Sequence, residues 1–314
     1  SITYLPSSGT LTTGRAIRQT TNSRVLVAGS NGSSGAIAAF TSSLSGLDTS
    51  FGNGTGAYQT GVNSPIVDLA MDQYDRMYIA YLNGSVITVQ RILDNGGSVD
   101  TSFVANSIPT LYSLSSTQIR VALDEANQQF VVAVQDGTSA NNVIKVARYN
   151  MIDGSDTGAI ANITVTDAVV NLVDLFIDSD ENIYVIGNNS TDNNILVARV
   201  ASTNATSIAL DPTYGVNGIA NVSPGSNMTQ VQAGLLDLDG RVYVVGQQDT
   251  PTPAMARLFG DNYYTQDSTA NAQGLPGALD LTLNPGVGAF DLSADGSFGT
   301  SLDGYTGRAI FANA

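Results

Sequence analysis

Short apolar runs recur along the whole chain, separated by clusters of Gly, Asn, Asp and Ser. The runs are rich in Val, Ile and Tyr, as in RVLVAG at 24–29 and NIYVIG at 182–187. Short runs bounded by turn-forming residues are typical of β-strands, and the spacing of an amphipathic helix is not found. The pattern therefore predicts an all-β protein.

The runs are organised in six repeats. The residue before the second strand of each repeat serves as an anchor, and successive anchors lie 52, 53, 53, 59 and 56 residues apart. Each repeat has an inner strand, a turn, a strand without polar alternation, a hairpin, a third strand and a final phrase such as LDTSFG at 47–52, which we interpret as the fourth strand. The anchors are Ser23, Asp75, Gln128, Glu181, Gly240 and Gly296.

A strand that is apolar on both faces must be covered on both faces, as in stacked sheets. Four-stranded repeats of this length predict a six-bladed β-propeller that forms a single domain over residues 1–314. The sixth repeat ends at Ala314 without a fourth strand, and residues 1–13 precede the first repeat as an extra strand-like segment. We expect this segment to close the last blade; the alternative is that it completes a neighbouring molecule and builds a fibre.

Two stretches resemble the bacterial delta-sixty repeat family. They are RVLVAGSNGSSGAIAAFTSSLSGLDTSFGNGTG at 24–56 and LDPTYGVNGI at 210–219. The resemblance implies a propeller-like repeat module of large bacterial surface or secreted proteins, without an established activity.

Composition restricts the partners. The chain has 27 acidic and 12 basic residues, with a net charge of −15, and should repel nucleic acids and anionic membranes. No apolar run is long enough to cross a bilayer, so we expect no membrane insertion. The acidity, the single lysine and the abundant Asn, Thr, Ser and Gly favour a bacterial extracellular or cell-surface location. A protein or a glycan at the cell surface, or further copies of the chain, are the expected partners.

Four repeats carry an arginine at the same position of the third strand, followed by an acidic residue in the next loop. We predict that each arginine pairs with that acid within its own blade and is structural. The alternative is a ring of guanidinium groups that binds carboxylates or acidic sugars. The arginines are Arg91, Arg148, Arg199 and Arg257, and the acids are Asp100, Asp156, Asp211 and Asp267.

Candidate binding residues are charges that break the repeat. Asp68, Arg120 and Asp174 lie on inner strands, where they can meet at the mouth of a central channel and hold a cation or a polar ligand; alternatively, they pair with one another. The long segment 249–287 contains Tyr263 and Tyr264, which are candidate contact residues or part of the packing of the fifth blade.

The chain has no His and no Cys, which removes the commonest catalytic and metal-binding groups. The acidic turns at 178–181 and 237–240 invite a calcium interpretation, but they have no late bidentate Glu and are typical of hairpin turns. We therefore predict no cofactor and no metal, with calcium at these turns as the alternative. The sequence favours a non-catalytic recognition or assembly module; the alternatives are a fibre subunit and a carbohydrate-active enzyme that uses the channel-mouth carboxylates.

Overall fold

The structure is a computed structural model. It describes residues 11–32, 34–103, 118–137, 140–204, 207–223, 228–237, 240–248, 253–259 and 289–291. All regular elements in these ranges are β-strands, which confirms the predicted all-β class.

The strands form five sheets in chain order. The first contains β1 (Thr13–Gln19), β2 (Val25–Ser30), β3 (Gly35–Phe40) and β4 (Ala57–Gln59), in that order. The second contains β5 (Ile66–Met71), β6 (Met77–Asn83) and β7 (Val86–Ile92). The third contains β8 (Ile119–Asp124), β9 (Gln129–Asp136), β10 (Val143–Asn150) and β11 (Asp156–Ile163).

The last two sheets follow the same up-and-down order. The fourth contains β12 (Val170–Ile177), β13 (Ile183–Asn189), β14 (Asn194–Asn204), β15 (Ser207–Leu210) and β16 (Ile219–Val222), with β15 and β16 both paired to β14. The fifth contains β17 (Met228–Leu236), β18 (Val242–Gln248), β19 (Pro253–Leu258) and β20 (Ala289–Asp291).

The prediction of six four-stranded blades was wrong in number and in strand count. The described residues form five sheets of three to five strands. The segment before the anchor Gly296 was counted as the inner strand of the sixth repeat, but Ala289 in that segment lies in β20 and pairs with Ala256 at the outer edge of the fifth sheet. This pairing satisfies backbone groups of β19 that would otherwise form an open edge. Gly296 and residues 1–10 of the segment 1–13 that was expected to close the last blade lie outside the described residues, so the closure stays a prediction.

The chain divides into two compact units. The first comprises residues 1–136 and 147–159, and the second comprises residues 137–146 and 160–314. The single domain predicted over residues 1–314 stays a prediction.

The first unit contains two apolar cores that explain the lack of polar alternation in β6. Met77 and Ile79 pack with residues of the first sheet such as Leu26, whereas Tyr78 packs with Phe130 of the third sheet. Both faces of β6 are therefore buried, as the sequence pattern predicted. The second unit has an equivalent core between the fourth and fifth sheets, which includes Tyr184, Ile186, Val242 and Val244.

The repeat anchors share one backbone conformation. Ser23, Asp75, Gln128 and Glu181 have φ angles between 54° and 67°, in the left-handed region that non-glycine residues seldom adopt, and Gly240 has a φ of 74°. Each anchor donates its backbone N–H to the carbonyl three residues earlier. The period found in the sequence thus marks the same turn between the first and second strands of all five sheets.

Candidate functional site

The inner strands of four sheets have an irregular register near the position of the predicted channel charges. In the second sheet the register of β5 shifts just before Asp68, whose side chain is almost fully buried. Its Oδ1 accepts the N–H of Leu69 at 2.9 Å, and its Oδ2 accepts the N–H of Val121 on β8 at 2.9 Å. Asp68 therefore ties the bulge of its own strand to the inner strand of the next sheet.

Asp174 has the same role in the second unit. The register of β12 shifts just before it. Its Oδ1 accepts the N–H of Leu175 at 3.1 Å, and its Oδ2 accepts the N–H of Gly234 on β17 at 3.3 Å. The two aspartates thus make equivalent connections, the second sheet to the third and the fourth sheet to the fifth.

Arg18 lies near the Asp68 carboxylate, and Arg120 adjoins the backbone amide that bonds to it. Arg120 directly precedes Val121, and its Nη1 donates to the carbonyl of Ile119 at 2.8 Å. Arg18 places Nη2 3.9 Å from Asp68 Oδ1. The structure thus brings Asp68 close to the backbone beside Arg120 in the first unit, whereas Asp174 belongs to the second unit.

Arg91 bonds to the loop of its own sheet and to a loop of the next sheet. Its Nε donates to Asp100 Oδ2 at 2.9 Å and its Nη2 donates to Ser102 Oγ at 3.1 Å, so the expected partner within the repeat is present. The guanidinium also donates to the carbonyls of Met151 and Ile152, which belong to the third sheet's loop between β10 and β11. One buried arginine therefore fixes its own loop and the loop of the next sheet.

Arg199 repeats the contact within its own repeat. Its Nε donates to Asp211 Oδ2 at 2.8 Å, its Nη2 donates to Thr213 Oγ1 at 3.0 Å, and its guanidinium carbon lies 5.1 Å from the centre of the Tyr214 ring. Three of the predicted arginines share a contact with a tyrosine hydroxyl: Arg91 Nη1 donates to Tyr78 at 3.4 Å and Arg199 Nη1 donates to Tyr184 at 3.3 Å. Arg257 Nη1 donates to the Tyr243 hydroxyl at 3.3 Å, while its proposed partner lies outside the described residues.

Arg148 is fully buried on β10. Its backbone carbonyl accepts the hydroxyl of Thr157 at 2.7 Å, and the carboxylate of its proposed partner Asp156 accepts the N–H of Gly158 at 2.7 Å. Asp156 itself is exposed.

The first sheet uses an arginine that sequence reasoning missed. Ala39 occupies the usual third-strand position, but Arg24, just before β2, donates from Nε to Asp48 Oδ2 at 2.7 Å and from Nη2 to Ser50 Oγ at 2.9 Å. Its guanidinium carbon lies 5.5 Å from the centre of the Phe51 ring. The signal was available in the sequence, because the Asp-Thr-Ser-Phe phrase is present without its usual arginine.

The final phrase of the first, second and fourth repeats is a turn and not the fourth strand, which corrects the sequence interpretation; in the third repeat the corresponding segment enters strand β11 (Asp156–Ile163). In the first repeat, Asp48 Oδ1 accepts both the backbone N–H of Ser50 at 3.0 Å and its hydroxyl at 2.6 Å. A side chain that captures the backbone two residues on competes with strand pairing and favours a turn. The same contacts join Asp100 to Ser102 and Asp211 to Thr213.

These turns hold their carboxylates in the ionised form. Hydrogen bonds from Ser50 and then from Arg24 lower the pKa of Asp48 to about 2. Burial alone would raise the pKa of Asp100 and Asp211, but hydrogen bonds from the neighbouring hydroxyl and from the arginine outweigh burial and lower the pKa of both.

In the acidic turns considered for calcium, the aspartate carboxylates accept hydrogen bonds from backbone N–H groups. Asp178 Oδ1 accepts the N–H groups of Asp180 and Asn182 at 2.9 and 2.8 Å, and Asp237 Oδ1 accepts the N–H of Arg241 at 2.8 Å. In the part of the chain that the structure describes, no group of three or more His, Cys, Asp or Glu side chains is arranged to hold a metal ion. Tyr263 and Tyr264 lie outside the described residues.

No helix in the described ranges has the length and apolar character required to span a bilayer. No family model matches the chain, and no curated protein matches it.

Solved structures resemble the chain at low identity. Semaphorin 2a of Drosophila is 12% identical and superposes with a TM-score of 0.51, covering 78% of this chain and 47% of the semaphorin chain. The chain therefore spans about half the length of that protein. The likeness shows the fold: the chain has the all-β propeller fold.

Two further structures are similar at lower scores. Regucalcin of Agrobacterium tumefaciens, a calcium-binding protein, is 13% identical with a TM-score of 0.39, and the match covers 88% of this chain and 74% of regucalcin. An ulvan lyase of a polysaccharide lyase family is 8% identical with a TM-score of 0.47, and the match covers 77% of this chain and 65% of the lyase.

Proposed function

We propose that the chain is a non-catalytic recognition or assembly module displayed at the surface of a bacterium or secreted by it. One observation carries the proposal: the two channel carboxylates selected from the sequence are bonded to the backbone of adjacent inner strands. Asp68 holds the N–H groups of Leu69 and Val121, and Asp174 holds those of Leu175 and Gly234. These are structural roles, and the rest of the molecule serves as a scaffold for exposed loops.

The arginines support the same conclusion. A guanidinium that recognises an external carboxylate must present its N–H groups to solvent, whereas Arg91 is 3% exposed and donates to Asp100, Ser102 and the carbonyl of Ile152. The recurring phrase that resembles the delta-sixty family is the turn which such arginines hold. The phrase therefore supports the proposed scaffold role of the repeats, and it agrees with a module of a large surface or secreted protein.

The rival enzyme hypothesis requires one carboxyl group that donates a proton and one that stays ionised, both facing a substrate. Asp68 and Asp174 each direct one oxygen at their own bulge and the other at a neighbouring strand. In this geometry both oxygens of each carboxylate accept backbone N–H groups, so neither carboxylate is directed at a substrate.

The first experiment tests for catalysis. The purified chain is incubated with neutral and acidic soluble polysaccharides, and the appearance of new reducing ends and of unsaturated uronic acids is measured. We expect no turnover above that of the heat-denatured chain. Turnover that is lost in Asp68→Asn or Asp174→Asn, but retained in Asp153→Asn at an exposed loop position, would contradict the proposal.

The second experiment tests recognition and assembly. Electrophoresis through gels that contain single polysaccharides reports glycan binding, and sedimentation reports the size of the native particle. Because the chain is strongly acidic, we expect retardation by neutral rather than by anionic polysaccharides, or assembly into larger particles. A monomer that no polysaccharide retards and that does not attach to bacterial cells would refute the recognition and assembly role.

Deletion of residues 1–13 tests the fibre alternative: the fibre predicts loss of large particles, whereas closure within the chain predicts an unstable monomer.

A further inference from the structure

The chain contains five Asn-Gly dipeptides, and one of them lacks the hydrogen bonds and packing contacts that restrain the others. Asparagine followed by glycine is the pair most prone to self-cyclisation, because glycine offers an unhindered backbone nitrogen next to the side-chain amide. Reaction requires that nitrogen to be free and the local backbone to move. The pairs are Asn31-Gly32, Asn53-Gly54, Asn83-Gly84, Asn95-Gly96 and Asn217-Gly218.

In two of the pairs, the glycine nitrogen that would attack the side-chain amide already donates a hydrogen bond. The backbone nitrogen of Gly96 donates to the carbonyl of Leu93 at 2.8 Å, and that of Gly218 donates to the carbonyl of Tyr214 at 2.9 Å. Both glycines are also tightly packed, since an added Cβ would lie 2.1 Å from the ring of Phe51 at Gly96. Neither turn can rearrange without breaking a hydrogen bond and a packing contact.

Two more pairs are held at the asparagine side chain. Asn31 Oδ1 accepts the backbone N–H of Ser34 at 2.8 Å, and Asn53 Nδ2 donates to the carbonyl of Gly97 at 2.9 Å. Asn53 also has a φ of 56°, which places it in the left-handed region. These contacts restrain the side-chain amide of each asparagine.

Asn83 has none of these restraints. It is exposed at the end of β6, and the structure gives its side-chain amide no hydrogen-bond partner among the described residues. Gly84 opens the two-residue turn to β7 with a φ of 66°, its nitrogen donates to no acceptor in the described ranges, and a Cβ there would meet no atom within 4 Å. The end of a hairpin also opens more readily than its centre.

We infer that Asn83 is a self-modification site, at which the chain forms a succinimide and then isoaspartate or aspartate. The Gly84 nitrogen bonds to Asn83 Cγ, the bond from Cγ to the side-chain nitrogen breaks, and ammonia leaves with the proton of the Gly84 amide. Water then opens the ring at either carbonyl. No oxidant, reductant or enzyme is needed, and the product adds one negative charge to the turn between β6 and β7.

The modification alters the hairpin as well as its charge. Asn83 pairs with Val86 as the last pair of the β6–β7 ladder. Isoaspartate inserts one methylene into the backbone at this pair, so the ladder cannot keep its register there. The extent of modification at the turn between β6 and β7 therefore increases with the age of the molecule.

The test compares the five pairs within one protein. The folded chain is incubated at mildly alkaline pH, labelled with a protein isoaspartyl methyltransferase, digested and mapped by mass spectrometry. We expect Asn83 to convert roughly fivefold or more faster than the other four, the factor that corresponds to about 1 kcal/mol for one additional hydrogen bond to be broken. The chain in concentrated urea provides the control, in which we expect the five rates to converge.

Conversion of another Asn-Gly pair as fast as Asn83 in the folded chain would overturn the inference. So would a preference for Asn83 that persists unchanged in urea, because the preference would then arise from sequence and not from structure. Neither result bears on the proposed recognition role, which the polysaccharide and sedimentation experiments test separately.

Discussion

The first and second sheets hold the same Asp-Thr-Ser-Phe turn with arginines that come from different strands. In the second sheet Arg91 reaches Asp100 from β7, and in the first sheet Arg24 reaches Asp48 from the start of β2. Both place their guanidinium group over the aromatic ring of the phrase, at 4.8 Å from the centre of Phe103 and 5.5 Å from that of Phe51. What the repeats retain is therefore a three-part contact of guanidinium, carboxylate and ring, and not the sequence position of the arginine.

The two arginines differ in how much of the next sheet they bind. Arg24 Nη1 approaches the carbonyl of Asp94 at 3.4 Å, whereas Arg91 donates to two carbonyls of the third sheet's loop and is more deeply buried. The turn therefore contacts the next sheet in both cases, through one long hydrogen bond from Arg24 and through two carbonyls from the more deeply buried Arg91. Mutations can separate these contributions.

The largest effect is expected for Arg91→Ala. The change removes a buried cation and leaves Asp100 and two loop carbonyls without their donor, so we expect a loss of about 3–5 kcal/mol in the free energy of unfolding. Urea denaturation followed by circular dichroism measures it. Arg24→Ala, in the less buried turn, should cost about 1–2 kcal/mol, and Arg15→Ala, exposed on β1, is the matched control for loss of an arginine. Equal losses for Arg91 and Arg24 would show that the additional contacts of Arg91 with the next sheet contribute nothing.

An intermediate effect is expected for the two inner-strand aspartates. Asp68→Ala leaves the N–H groups of Leu69 and Val121 without their acceptor, and we expect a loss of about 2–4 kcal/mol. Asp174→Ala should behave alike because its two contacts are equivalent, whereas Asp68→Asn retains an oxygen acceptor and should cost less. Stability equal to the wild type in both alanine variants would refute the structural assignment of these carboxylates.

Much of the fold was predictable because the repeats give the sequence a regular period. The anchors Ser23, Asp75, Gln128 and Glu181 mark turns of one conformation, and the spacing of Arg91 and Arg199 from their acids identified pairs that the structure contains. Local contacts of this kind depend on residue types at fixed separations, which a sequence displays directly.

The remaining features depend on partners that have no sequence signature. The acceptors of Arg91 in the third sheet are backbone carbonyls, 60 and 61 residues away, and the donor to Asp68 is the backbone amide of Val121, 53 residues away. Any residue type offers these groups, so the sequence suggested a ligand where the structure has a backbone contact. The assignment of the segment at Ala289 to a sixth repeat failed for a related reason, since either edge of a sheet can pair with a short apolar run.

The smallest effect is expected from acid titration of the arginine-held turns. The folded-state pKa of Asp48 is about 2, below its ordinary value of 3.8, and the pKa values of Asp100 and Asp211 are lowered as well. A depressed folded-state pKa contributes stability that is fully present above the unfolded value and is lost as the pH falls through the folded one, here between about pH 4 and pH 2. Urea unfolding at a series of pH values measures the loss, and Arg24→Ala should reduce the part that arises from Asp48. An unchanged pH profile in that variant would contradict the assigned cause.

The central claim is that the charges of the inner strands tie one sheet to the next. Amide hydrogen exchange at Val121 in the wild type and in Asp68→Ala tests it most directly, with Gly234, held by Asp174, as the internal reference. The predicted result is faster exchange at Val121 while exchange at Gly234 is unchanged. Unaltered protection of Val121, or an equal acceleration at both amides, would contradict the claim.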